Sequence, residues 1–128
     1  MLASDRAFSG FAVDDIDAAR AFYGEVLGIG VETVDEEAGL IRLDVRGCDP
    51  GVFVYAKPDH RPATYTILNF PVDDVEQAVG ELAARGVAFE RYEGFDQDER
   101  GIARGMGPAI AWFRDPAGNI LAVLEEPA

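Results

Sequence analysis

The chain has 128 residues, 48% of them hydrophobic and 27% charged, a balance that fits one globular domain and excludes a disordered or fibrous chain. Eleven basic residues against 24 acidic ones give a formal net charge of −13. That field repels phosphate backbones and anionic lipid, so neither nucleic acid nor membrane is an expected partner, and surplus carboxylate also serves plain solubility. Cys48 is the single cysteine and cannot form an internal disulfide, no basic-then-apolar leader opens the chain, and no apolar run nears the length of about 18 residues that crosses a membrane. The expected compartment is the cytoplasm.

Ala7 to Val13 reads as a strand, followed by Asp14-Asp15-Ile16-Asp17 as a helix start. Asp14 is the expected acceptor for the free amides of the first turn, with Asp17 adding favourable negative charge there. Ile16, Ala19, Phe22, Tyr23, Val26 and Leu27 then recur at helical spacing, and Gly28 ends the run. Gly30 to Asp35, Leu40 to Arg46 and Gly51 to Lys57 read as three further strands, separated by segments rich in turn residues.

The same order then begins again. Tyr65 to Val72 reads as a strand, Asp73-Asp74-Val75-Glu76 as a helix start, and Val75, Ala78, Val79, Leu82 and Ala83 as an apolar stripe that stops at Gly86. Asp15-Ile16-Asp17 superposes on Asp74-Val75-Glu76 at an offset of 59 residues, which also brings Phe11 onto Phe70 and Val13 onto Val72. A single domain of two modules, 1–60 and 61–128, is expected, joined near the prolines of Pro58 to Ala63.

In the second module Val87 to Tyr92 reads as a strand. Glu93 to Gly107 reads as a long irregular loop facing ligand or solvent and not as core. Pro108 to Arg114 and Gly118 to Glu125 supply the last two strands of a β-hairpin, with Asp115-Pro116 opening its turn and Gly118-Asn119 supplying positive φ. Alternation along the strands sorts Phe11, Val13, Leu68 and Phe70 toward the helices. Phe8, Gly10, Ala12, Tyr65, Ile67 and Asn69 then fall on the opposite, concave face.

Phe11-Ala12-Val13-Asp14-Asp15 leading to Phe22-Tyr23 and Val26-Leu27-Gly28, its counterpart Phe70-Pro71-Val72-Asp73-Asp74 leading to Arg85-Gly86-Val87, and the closing Phe113-Arg114-Asp115-Pro116-Ala117-Gly118-Asn119 resemble the vicinal oxygen chelate superfamily. This is the glyoxalase, bleomycin-resistance and extradiol-dioxygenase group. The resemblance implies an α+β fold of two βαβββ modules whose eight strands make a curved, incompletely closed barrel around a cavity, and it implies a homodimer. Metal-dependent members hold a divalent ion with His, Gln or Glu on the first and last strands of each module. The matching positions here are Phe8, Ile67, Ala122 and one within Val52 to Tyr55, where only the Tyr55 phenol carries oxygen. Carbon side chains donate no electron pair, and a lone phenol is costly to ionise, so no metal and no cofactor is expected.

The candidate cavity lining is therefore Phe8, Tyr55, Tyr65, Ile67, Asn69, Arg104, Trp112 and Ala122, with Ile120 beside them. The same residues also suit a filled core, and Trp112 equally suits the helix side or a subunit contact. Asn69 must find polar partners if buried. Arg100 and Arg104, in the glycine-bearing loop, have the fork geometry that recognises carboxylate or phosphate, or they pair locally. His60 has no nucleophile at an interpretable spacing, Asp96, Asp98 and Glu99 lack the pattern of a calcium loop, and nothing around Tyr92 and Glu93 fixes a general base. The leading expectation is metal-independent binding of a small, partly apolar molecule. The alternatives are a metal-dependent lyase or dioxygenase with relocated ligands, and a structural or regulatory dimer without ligand.

Overall fold

A computed structural model describes Leu2, residues 4–105 and residues 107–126. The chain folds as two compact units, one ending at Arg61 and the other beginning at Pro62.

The first unit is a complete βαβββ module. Strand β1 (Ser9–Val13) leads to helix α1 (Ile16–Ala21), and strands β2 (Gly30–Asp35), β3 (Leu40–Asp44) and β4 (Val52–Ala56) follow. Their order in the sheet is β1-β4-β3-β2, with β1 parallel to β4 and the other pairs antiparallel. Asp15, not Asp14, caps α1: its Oδ1 accepts the amides of Asp17 at 3.0 Å and Ala18 at 3.1 Å. Asp15 has the extended backbone a capping residue needs, one position closer to the helix than the sequence pattern indicates.

The apolar stripe after α1 continues as one π-type turn, Phe22–Val26, closed by Leu27 N–H donating to the Phe22 carbonyl at 3.0 Å. Gly28, at φ 73°, then reverses the chain. Tyr23 is fully buried there, its ring 5.8 Å from Phe11 and 5.3 Å from Phe22. Val13, Ile41, Leu43, Val52 and Val54 complete this helix-facing core.

The second unit repeats the plan. Strand β5 (Thr66–Val72), helix α2 (Val75–Ala84), strand β6 (Ile110–Arg114) and strand β7 (Ile120–Glu125) follow in order. β5 lies parallel to β7 as β1 does to β4, and β6 runs antiparallel to β7. The sequence offset holds in space: the strands end at Val13 and Val72, and the helix caps are Asp15 and Asp74, both extended. Val75 and Val79 are buried under α2, and Ala111, Phe113, Leu121 and Val123 form the sheet side of that core.

Seven strands are present among the described residues, not the eight expected. Residues 87–92 do not form a strand; they contribute one antiparallel bridge, Phe89 to Phe113, and one further hydrogen bond from Glu90 N to the Trp112 carbonyl at 2.8 Å. The reason lies at the free edge of β6, which is shared. Ala103 takes the other end of that edge, exchanging hydrogen bonds with Ile110 at 2.8 and 3.1 Å. Two further polar groups of 90–92 go to a side chain: Gln97 Oε1 accepts from Tyr92 N at 2.8 Å and Gln97 Nε2 donates to the Glu90 carbonyl at 2.9 Å, while the same Nε2 also donates to the Gly101 carbonyl at 2.7 Å. One carboxamide thus does the work of a strand ladder.

That pairing also corrects the reading of the long loop, since Ile102 and Ala103 are 1% and 2% exposed and belong to the core. Met106 of that segment lies outside the described residues. The β6–β7 turn is built around Asp115, only 4% exposed, whose carboxylate accepts from Ala117 N, Asn119 N and Asn119 Nδ2 at 2.9–3.0 Å. Gly118 takes φ 88° and sits so close to Pro62 that a Cβ there would lie 3.2 Å from its ring.

Candidate functional site

Each sheet has a second face, turned away from its helix. In the first unit the strand register sets Gly10, Phe53 and Arg42 in one row and Ala12, Tyr55 and Leu40 in the next. Phe8 precedes β1 and packs on Phe53 with ring centroids 4.7 Å apart. Phe8 is 62% and Tyr55 44% exposed, so this face presents aromatic carbon to its surroundings. The charge within it is already engaged: Arg42 donates to the Pro50 carbonyl at 2.8 Å and to Glu32 at 3.3 Å. A cavity of about 400 Å³ opens beside Phe8 and Ser9, with Asp5, Cys48 and Asp49 at its rim.

In the second unit Asn69, Ala122 and Trp112 occupy one row across β5, β7 and β6. Asn69 is exposed, Ala122 is fully buried, and Trp112 is 9% exposed. Trp112 is therefore on the side away from α2, packed with Ala103, Ile120 and Ala122. The irregular segment supplies its cover: Phe95 stacks on the indole at 5.2 Å and 19°, and Tyr92 meets it edge-on at 5.4 Å. The Tyr92 hydroxyl is buried with no hydrogen-bond partner among the described residues. Burial pushes that phenol above its ordinary value and the Glu90 carboxylate adds to the effect, while Arg114 opposes it. Arg114 itself is held to Glu90 at 2.5 Å, which raises its pKa.

The remaining candidates divide. A β-bulge between Thr66 and Leu68 places Thr66, not Ile67, opposite Ile120, so Ile67 is the extra residue of the bulge. Tyr65 precedes β5 and is 70% exposed. Arg104 pairs with Asp98 at 2.7 Å and with Glu76 of α2 at 3.0 Å, which ties the loop to the helix. Burial acts to raise the Asp98 pKa, but the hydrogen bond from Arg104 and the amides of Ile102 and Arg100 outweigh it and hold the carboxyl below its ordinary value. The Nε2 atom of His60 is buried and has no hydrogen-bond partner among the described residues. Phe53 and Phe95 are not among the sequence candidates. The alternation of Val52 and Val54 against Phe53 and Tyr55 carries the signal for the first, whereas nothing local marks the second.

The positions at which the sequence resemblance implies a metal ion do not fit one here. Phe8 and Ile67 end in carbon, Ala122 is fully buried with only a methyl group, and the Tyr55 phenol has no carboxylate, imidazole or thiolate companion at those places. Among the described residues no three His, Cys, Asp or Glu side chains converge.

The model of the Glyoxalase/Bleomycin resistance protein/Dioxygenase superfamily matches residues 7–123. The chain belongs to this superfamily. Solved structures of the same fold include a bleomycin resistance determinant encoded on the transposon Tn5, 22% identical with TM-score 0.67, which covers 97% of this chain and 99% of its own. A putative glyoxalase family protein from Bacillus anthracis is 19% identical, with TM-score 0.71 and coverage of 94% and 93%. TnmS3, an antibiotic binding protein from Streptomyces sp. CB03234, is 22% identical, with TM-score 0.65 and coverage of 94% and 96%. At these identities the likeness of this superfamily member to its neighbours is one of fold. No curated protein sequence matches the chain.

Proposed function

We propose that this superfamily member binds a small, partly aromatic molecule without a metal ion, using the sheet faces that turn away from the helices. The observation that carries the reading is the Asn69-Ala122-Trp112 row, an exposed amide and an indole on either side of a fully buried alanine, with Phe95 and Tyr92 packed over the indole as the cover that a ligand would displace. Neighbouring strands are about 4.8 Å apart, so the backbones that carry the amide and the indole are roughly 10 Å from one another, the scale of a small planar ligand with one polar end once the aromatic cover moves aside. Exposed Phe8 and Tyr55 offer similar aromatic area in the first unit. TnmS3 and the Tn5 determinant, described respectively as antibiotic-binding and bleomycin-resistance proteins, add support for capture as a task of this fold.

Trp112 is the single tryptophan, so its emission reports on this row without ambiguity. Titration with a panel of planar heteroaromatic amides is expected to change Trp112 emission and to shift the Asn69 side-chain amide signal. Panel members that bind while leaving both unchanged would refute the placement. Elemental analysis of protein purified without chelator is the second arm, and one equivalent of tightly held divalent ion per chain would overturn the metal-free reading. Self-association is part of the same proposal. β1 and β5 are terminal strands of their sheets, and a terminal strand is more stable paired than bare. Light scattering at micromolar concentration tests it, with a strict monomer as the adverse result.

A further inference from the structure

The second unit carries a groove on its helical side, distinct from the sheet face that holds Asn69 and Trp112. Its cavity volume is about 540 Å³. The wall from α2 is Val79, Gly80 and Ala83, and the opposite wall is Val87 and Phe89. These five residues present only carbon from their side chains or no side chain at all. At the rim stand Arg91, Glu99 and Arg100, two guanidinium groups against one carboxylate, in a chain whose net charge is −13.

The two arginines are in different situations. Arg91 Nη2 already donates to the Asp98 carbonyl at 2.7 Å. The backbone amide of Arg100 is tied to the Asp98 carboxylate at 2.9 Å, which fixes where the residue stands, but among the described residues its guanidinium has no acceptor. Gly80 is the third element. It lies inside α2, where glycine weakens a helix, and a Cβ added there would meet nothing within 4 Å, so no packing contact requires its absence. Its effect is to leave the helix bare where the groove runs.

We propose that this groove is a second binding site, for a small amphipathic monocarboxylate whose hydrocarbon lies along α2 and whose carboxylate meets Arg100. The apolar walls require a hydrocarbon body, which free phosphate lacks. Glu99 at the rim opposes a dianion, and a single carboxylate matches one guanidinium fork. The site is independent of the ligand proposed for the sheet face.

The test is an NMR titration of the full chain with octanoate, using octanamide as its uncharged counterpart. Octanoate is expected to shift the amides of Gly80, Ala83, Val87 and Phe89 saturably and to bind about fivefold tighter than octanamide at low salt, the margin of one partly exposed charge pair. Arg100→Gln is expected to erase that fivefold preference while leaving octanamide binding unchanged. Gly80→Leu, which fills the groove from a helical position, is expected to remove both ligands while the thermal melt stays the same or rises. Equal affinity for the two ligands, undiminished binding by Gly80→Leu, or shifts confined to the sheet-face residues would each overturn the proposal. None of these results bears on the response of Trp112 to heteroaromatic amides, so the two sites fail or stand separately.

Discussion

Replacing Gln97 by alanine tests whether one side chain holds the cover over Trp112. The substitution deletes three hydrogen bonds of 2.7–2.9 Å, to Tyr92 N, Glu90 O and Gly101 O, all partly shielded from water. A net value of about 1 kcal/mol each gives a loss of about 3 kcal/mol, confined to residues 90–101 because the sheet ladders are untouched. That free energy corresponds to an increase in local opening of about a hundredfold. Hydrogen exchange at the Tyr92 amide is the direct assay, and its protection should fall by that factor while the amides of β7 keep theirs. Trp112 gives an optical check: with Phe95 and Tyr92 no longer held over the indole, acrylamide should quench it more readily and its emission should move to longer wavelength. Unchanged protection at Tyr92, or a uniform loss through β7, would refute the reasoning, the first because the side chain is then not holding the segment and the second because the damage is then global.

Asp115→Ala should lower stability by about 3 kcal/mol and the melting temperature by roughly 10 °C, since it strips the acceptor from Ala117 N, Asn119 N and Asn119 Nδ2 in a buried turn; calorimetry checks this. Asp98 titrates below its ordinary value in the folded protein, so its contribution is complete above the unfolded pKa of about 3.9 and is lost as pH falls through the folded value. Asp98→Asn should therefore flatten the acid limb of the stability profile and leave its neutral region parallel to wild type. Gly80→Ala should raise stability by about 0.5–1 kcal/mol in a denaturant titration, because the added methyl group meets nothing and the helix gains a better former.

The repeat is the most legible feature of the sequence. The 59-residue offset between Asp15 and Asp74 reflects two real helix caps, and the alternation of Phe11 and Val13 with their neighbours assigns the helix face correctly. What the sequence conceals depends on contacts between distant residues. Asp14 and Asp15 are equally good capping residues, and only the backbone direction leaving β1 chooses between them. Residues 87–92 have the composition of a strand, but β6 offers them half an edge because Ala103 occupies the rest, and no local pattern announces that competition. On the candidate site, Trp112 and Ala122 share a row because β6 and β7 form a tight hairpin, which the Asp115-Pro116 turn foretells. Parity cannot place Ile67, since a single bulged residue exchanges the faces of a strand.

The Gln97 clasp gives the two halves of the chain unequal freedom to change. In the first unit, each strand of the βαβββ plan is anchored by a ladder of successive pairs, with an irregularity between Thr33 and Asp35 of β2, and an insertion into the laddered stretches would shift whole rows of side chains. Between Phe89 and Ala103 the backbone is fastened at isolated bridges, by the Gln97 amide group and by the Asp98 carboxylate, none of them within residues 93–96, so residues can be added or exchanged around Phe95 without disturbing the register of β6 and β7. A designer wishing to reshape what this protein receives should vary that span first and leave the laddered sheet of the amino-terminal half alone.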